Sequence, residues 1–202
     1  MNKFEEALTK YIGAHNLLKI QKIKIGIAGA GGLGSNCAFN LVRSGFKNFT
    51  IVDFDHIEYS NLNRQFYFLD QVGKVKVETL KENLLRINPD TNITVIKTKI
   101  GAGNIRSFFA DCNVVVEAFD QVEYKKLIIE TFICTNKLLV AASGLAGWGN
   151  SDKITVKQIN PNFYLIGDEI SEVSENCPPM SPKVNITAAK QADVILEWAL
   201  SR

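Results

Sequence analysis

Residues 29–34, GAGGLG, follow a short β-branched run and open a helical stretch. That is the context in which a G-x-G-x-x-G turn binds phosphate. Gly29 permits the tight turn, Gly31 lets backbone approach an anion, and Gly34 lets helix and sheet pack closely. Gly32 and Leu33 complete the turn, and the helix N-terminus adds free N–H groups and partial positive charge. Asp53 ends the next apolar run, 19 residues beyond Gly34, where an acidic side chain hydrogen-bonds ribose hydroxyls. To this point ATP and NAD account for the residues equally well.

The stretch VDFDHIEYSNLNRQFYFLDQVGKVKVE, residues 52–78, separates them. A dinucleotide's pyrophosphate is satisfied largely by the helix terminus, whereas a triphosphate demands fixed cations. Arg64, in NLNRQF, and Lys76, in GKVKVE, supply a planar fork and a mobile point charge if this loop folds back over the glycine turn. Asp120 follows EAF at the end of a buried run, the ligand edge of an open α/β sheet. Its hard oxygens suit Mg²⁺, and the same position suits an N-cap for the next helix. Asp55 either backs this site or caps the turn.

The elements that must carry these residues alternate. A leading helix is expected over 3–20, with Phe4, Leu8, Tyr11, Ile12 and Leu18 near helical spacing. Strands are expected at 22–29, 49–54, 92–98, 113–119 and 137–143, and helices at 32–45, 73–87, 103–110 and 121–135. β-branched strands alternating with helices predict a Rossmann-like, doubly wound, mostly parallel sheet. After a glycine-rich turn, 153–159 and 163–167 read as a late antiparallel pair. Residues 168–182 read as a loop, and 183–200 as a closing helix with Ile186, Ala189, Ala192, Ile195, Leu196 and Ala199 inward. The whole chain, 1–202, reads as one domain: an N-terminal helix (1–20), a nucleotide-binding core (21–145), and a tail region with the last helix (146–202).

Composition agrees. The 202 residues are 46% hydrophobic and 22% charged, a globular balance that needs no metal or disulfide to fold. A net charge of +2 argues against a nucleic-acid binder. The start, MNKFEEALTK, has no apolar signal core. The nearly uncharged run 131–148 is broken by Asn136, Lys137 and glycines, so no membrane span is expected and the cytoplasm is the expected location. Cys37, Cys112, Cys134 and Cys177 form no CxxC pair, so no structural zinc is expected, and the first three read as buried fillers. His15 and His56 read as surface or packing residues, and Trp148 and Trp198 as interface or core aromatics.

GAGGLGS, then DFD and SNLNRQF, then VGKxK and an acidic residue after the fourth strand, resemble the ubiquitin-activating superfamily, within it the bacterial ThiF, MoeB and HesA proteins. The resemblance covers roughly residues 12–145 and is closest to the short ThiF subgroup. It implies an ATP-dependent adenylyltransferase that activates the C-terminal carboxylate of a small ubiquitin-like sulfur-carrier protein ending in Gly-Gly, in thiamine thiazole synthesis. It implies that Asp53 holds the ATP ribose, that Asn61, Arg64 and Gln65 line the phosphate site, that Lys76 contacts phosphate and that Asp120 holds magnesium. Activation of a molybdopterin carrier, an NAD-dependent oxidoreductase and a non-catalytic nucleotide-binding module are the alternatives.

The chain also departs from that pattern. Superfamily members commonly carry an N-terminal Arg that reaches a partner subunit's ATP site; here Glu5 stands at that place, which leaves a homodimer open. Cys177, in SENCPPMSP, lies near where longer ThiF proteins have a carrier-linking cysteine, so it is either a thiol catalyst or an ordinary loop residue. Gly144, Ala146, Gly147 and Gly149 either line a channel for the carrier's tail or form a plain turn.

Overall fold

A computed structural model describes residues 1–201. Five apolar runs become parallel strands: β1 (Lys24–Ala28), β2 (Asn48–Val52), β3 (Asn92–Ile96), β4 (Val114–Glu117) and β5 (Leu138–Ala142). β6 (Thr155–Asn160) and β7 (Phe163–Gly167) pair antiparallel, and β7 joins β5 in parallel. The sheet order is β3-β2-β1-β4-β5-β7-β6. β4 and β5 are buried along their whole length, which is why they read as aliphatic runs rather than alternating ones, with Glu117 the one charged residue, at the end of β4. The order reverses between β1 and β4, so the carboxyl ends of these two strands frame the crevice where such sheets take ligands.

Among the described residues seven helices cover the sheet: α1 (Lys3–Ile12), α2 (Ala14–Ile20), α3 (Gly32–Arg43), α4 (Lys76–Leu85), α5 (Ile105–Phe108), α6 (Val122–Phe132) and α7 (Ser181–Leu200). One apolar cluster joins β1, β4 and β5 to α2, α3 and α7, with Ile27, Leu41, Phe46 and Ile195 fully buried. A second, around Phe109, Ile128 and Leu139, lies under α5 and α6. Each such buried aliphatic side chain contributes about 1.5–3 kcal/mol. α7 lies along α3, the helix that opens at the glycine turn.

Several expectations are corrected. The leading helix is two helices, because Gly13 adopts φ +80°, open to glycine and strained for other residues. The break turns Tyr11 (85% exposed) and Leu18 outward and seats Leu17 and Ile20 in the core. Glu5 is buried in α1. It pairs with Lys47 at 2.8 Å and accepts from Asn88 Nδ2 at 3.2 Å, so it fastens α1 to the body of the chain. The last helix starts at Ser181 with Pro182 in its first turn, where a missing N–H is harmless. Its inner face carries Val184, Ala188 and Gln191, and Ala189 is exposed. The expected helix at 103–110 shrinks to a single turn, and the one at 73–87 begins only at Lys76. Cys37 and Cys112 are buried, but Cys134 is exposed. No described helix is long and apolar enough to cross a membrane.

Candidate functional site

The glycine turn between β1 and α3 is held by contacts that only bare backbone allows. Gly29 sits at φ +104°, and a Cβ there would lie 2.8 Å from the carbonyl oxygen of Ala118. A Cβ on Gly34 would lie 1.8 Å from the carbonyl oxygen of Gly29, so no side chain fits where α3 meets the turn. A Cβ on Gly31 would meet only Gln65 Nε2, at 3.8 Å, and the stem of Arg64 lies over Gly32. Leu33, also expected at the site, is buried in the core beneath the turn. Asp53 is buried and accepts the Ala30 N–H on Oδ2 at 2.6 Å and the Asp55 N–H on Oδ1 at 2.9 Å. Its carboxylate thus fixes the turn itself.

The segment 58–76 folds back over this turn, as the proposed use of its cations requires. Ser35 Oγ accepts the Phe66 N–H at 3.0 Å, and Asn36 Nδ2 donates to the Arg64 carbonyl at 2.8 Å. Both side chains come from the start of α3, so phosphate turn and cationic loop are one unit. Asn61 Oδ1 accepts the Glu58 N–H at 3.1 Å and closes a tight turn. Arg64 Nη1 donates to Asn63 Oδ1 at 2.7 Å and to the Ser60 carbonyl at 3.2 Å. Burial lowers the Arg64 pKa, and the charge of Asp120 works against that shift. Lys76, 7% exposed, pairs with Asp55 Oδ2 at 3.0 Å. Gln65 is buried with its Oε1 unpaired.

Asn61, Arg64, Gln65, Lys76, Asp55 and Asp120 line one cleft of about 540 Å³, with exposed His56 at its rim. That volume suits a nucleotide-sized ligand. Asp120 does not cap α6: Gln121 occupies the N-cap, with no side-chain hydrogen bond. Among the described residues no three His, Cys, Asp or Glu gather as a metal cage. A second hollow of about 330 Å³ lies near the N-terminal ends of β1, β2 and β3 and contains none of the expected site residues.

Downstream, Gly144 and Gly147 have φ of +76° and +72°, and the space beside them is taken by Asp168 Oδ1 and Cys177 Sγ. Ala146 is fully buried, and only Gly149 of this group faces open space. The turn therefore packs on the chain's own 168–180 segment. Lys183 secures it, 3.0 Å from the Ala146 carbonyl and 3.4 Å from Asp168 Oδ2. Cys177 is half-buried in a short Ser174–Cys177 bridge and lines no part of the cleft. Sequence reasoning passed over Tyr67, Ser35 and Asn36; the last two directly follow the glycine turn, which was their one signal.

Strand order, glycine turn and switch-point cleft define a Rossmann-like α/β domain. Residues 5–200 match the ThiF family, and the chain belongs to that family. It is 35% identical over 152 residues to the Candida glabrata adenylyltransferase and sulfurtransferase UBA4, covering 75% of this chain and 35% of that protein. It is 32% identical over 145 residues to the Escherichia coli tRNA threonylcarbamoyladenosine dehydratase, covering 71% of this chain and 50% of that protein. The chain thus spans between a third and a half of these relatives. In three dimensions it resembles the E. coli dehydratase TcdA solved in complex with ATP, with a TM-score of 0.83, 22% identity, and coverage of 98% of this chain and 93% of that one.

Proposed function

We propose that the chain is an ATP-dependent adenylyltransferase that activates a carboxylate as an acyl-adenylate. The observation that carries this reading is the convergence of Arg64, Lys76 and Asp120 on one cleft beside the glycine turn. Arg64 and Lys76 are held in a partly buried setting where their charge counts for more, and the carboxylates of Asp55, Glu58 and Asp120 on the same cleft suit a polyphosphate that arrives with a cation. The carboxylate oxygen attacks the α-phosphorus, the bond from that phosphorus to the β-bridging oxygen breaks, and pyrophosphate leaves. Arg64, Lys76 and the turn's N–H groups hold the phosphates in line and offset the developing charge. Gln65 Oε1 is an unused acceptor for a ribose hydroxyl, and Asp53, whose two oxygens hold the turn's backbone, would take the other ribose hydroxyl on a remaining lone pair. Magnesium, when bound, would neutralise phosphate charge, and Asp120 is the residue that would hold it.

The acceptor in this reading is a ubiquitin-like carrier protein ending in Gly-Gly, as the relation to an adenylyltransferase and sulfurtransferase suggests. Its narrowest form, a sulfur carrier of thiazole synthesis, rests on the sequence resemblance alone. A second reading places the carboxylate on a threonylcarbamoyl nucleoside of tRNA, favoured by the larger share of the dehydratase that the chain spans. ATP–pyrophosphate exchange, run with a Gly-Gly-ended carrier and with modified tRNA, separates the two. Arg64→Ala and Lys76→Ala should each lower exchange about 10²–10³-fold. Near-normal exchange in both variants removes the mechanism.

A further inference from the structure

We infer that the ion pair between Glu117 and Lys125 is a positioning device that sets Asp120 at the cleft; the inference rests on the magnesium–nucleotide reading of that cleft. Glu117 closes β4 with its side chain wholly buried. Its Oε1 accepts the Phe119 N–H at 2.7 Å, and its Oε2 accepts the Ala142 N–H at 3.4 Å. Lys125, from the first turns of α6, places Nζ 3.2 and 3.1 Å from the two oxygens and donates to the Ala142 carbonyl at 3.0 Å. One carboxylate therefore joins the exit of β4, the end of β5 and the start of α6.

The same short segment is gripped from its other sides. The Ala118 N–H donates to the Ala28 carbonyl at 3.0 Å, and the Ala118 carbonyl rests against Gly29 of the phosphate turn. From α7, Gln191 Nε2 donates to the Glu117 carbonyl at 3.2 Å. Residues 117–119 are thus fixed, and Asp120 is the first residue beyond them, with no capping bond of its own. Its place opposite Arg64 is inherited from the clamp. Burying an ion pair seldom stabilises a fold more than apolar side chains would. Stability alone leaves this pair without a reason, whereas orientation of a metal-bearing carboxylate gives it one. Groups that orient a ligand side chain from behind typically govern metal affinity about 10–100-fold.

The test is calorimetric titration of the full chain with a non-hydrolysable ATP analogue, in EDTA and across a magnesium series. Lys125→Met should weaken the apparent magnesium affinity at least about tenfold and leave the affinity for the analogue in EDTA unchanged. Lys125→Arg, which keeps charge and donors, should restore it. Lys125→Met added to Asp120→Asn should cause no further loss, because both act through one group. If Lys125→Met fails to fold, Glu117→Gln combined with Lys125→Met removes both charges and is read the same way. Wild-type magnesium affinity in the variant overturns the proposal, and so does an equal loss in EDTA or a multiplicative loss in the double variant. A wild-type chain that passes this test yet catalyses no pyrophosphate exchange sinks adenylyl transfer and leaves the positioning role standing.

Discussion

The hydroxyl of Tyr67 lies 2.8 Å from the carbonyl oxygen of Ala30, at the centre of the glycine turn. It is also 3.2 Å from the Lys76 carbonyl, so one phenolic proton serves the turn and the first residue of α4 together. Burial raises the Tyr67 pKa well above normal and the nearby charge of Asp53 adds to it, so the group stays a neutral donor. Tyr67→Phe leaves the Ala30 carbonyl without this partner and should cost about 1–3 kcal/mol in urea unfolding. It should also raise the KM for ATP more than it lowers kcat. Unchanged ATP saturation would mean the turn holds its shape without the phenol.

Glycines at the turn and away from it should behave differently. Gly34→Ala drives a methyl into the Gly29 carbonyl and should cost upward of about 1–3 kcal/mol, with loss of ATP protection in thermal melting. Gly73→Ala meets open space and pays only for its φ of +87°, about 1–2 kcal/mol. ATP protection should survive there. Similar behaviour of the two variants would contradict close packing as the role of Gly34.

Acid stability should depend on Asp168. Burial pushes its pKa up, but the N–H groups of Ser171 and Ile170 and the ammonium of Lys183 outweigh this and bring it to about 2. A folded-state pKa below the unfolded one gives stability that is complete well above the unfolded pKa. That stability is lost as pH falls from about 4 towards 2 and amounts to about 2 kcal/mol. Asp168→Asn should flatten the acid limb of a pH series of melting curves in that window. An unchanged slope would show that the carboxylate is not ionised more readily in the folded chain.

Thiol chemistry should sort the cysteines by burial. Cys134 is exposed and Cys177 half-buried, whereas Cys37 and Cys112 are enclosed and burial raises their pKa. A disulfide reagent on the native chain should modify Cys134 first and Cys177 more slowly, and reach the other two only on unfolding. Early labelling of Cys37 would place α3 wrongly against the sheet.

The alternating sheet was legible because β5 and all of β4 but its closing Glu117 are aliphatic, and the phosphate turn because Gly29 and Gly34 have no substitute there. Arg64 and Lys76 were legible as cations facing a common point. The break at Gly13 was not, since a glycine within a helical pattern is tolerated as often as it ends one. Ala189 was placed inward because alanine carries little information about which side of a helix faces the core. Tyr67 escaped because a hydroxyl that hydrogen-bonds backbone carbonyls distant in the chain leaves no pattern of spacing. Glu117 drew no reading of its own inside the expected strand 113–119. Its partner Lys125 is eight positions away on another element, and only folding brings the two charges together.

The contact between Gly29 and Gly34 has a kinetic corollary. Backbone wedged against backbone cannot loosen locally without parting β1 from α3, so the amides of this turn are already aimed before any ligand arrives. An incoming polyanion therefore meets a rigid receptor, and its entry should be limited by encounter and dehydration rather than by rearrangement of the turn.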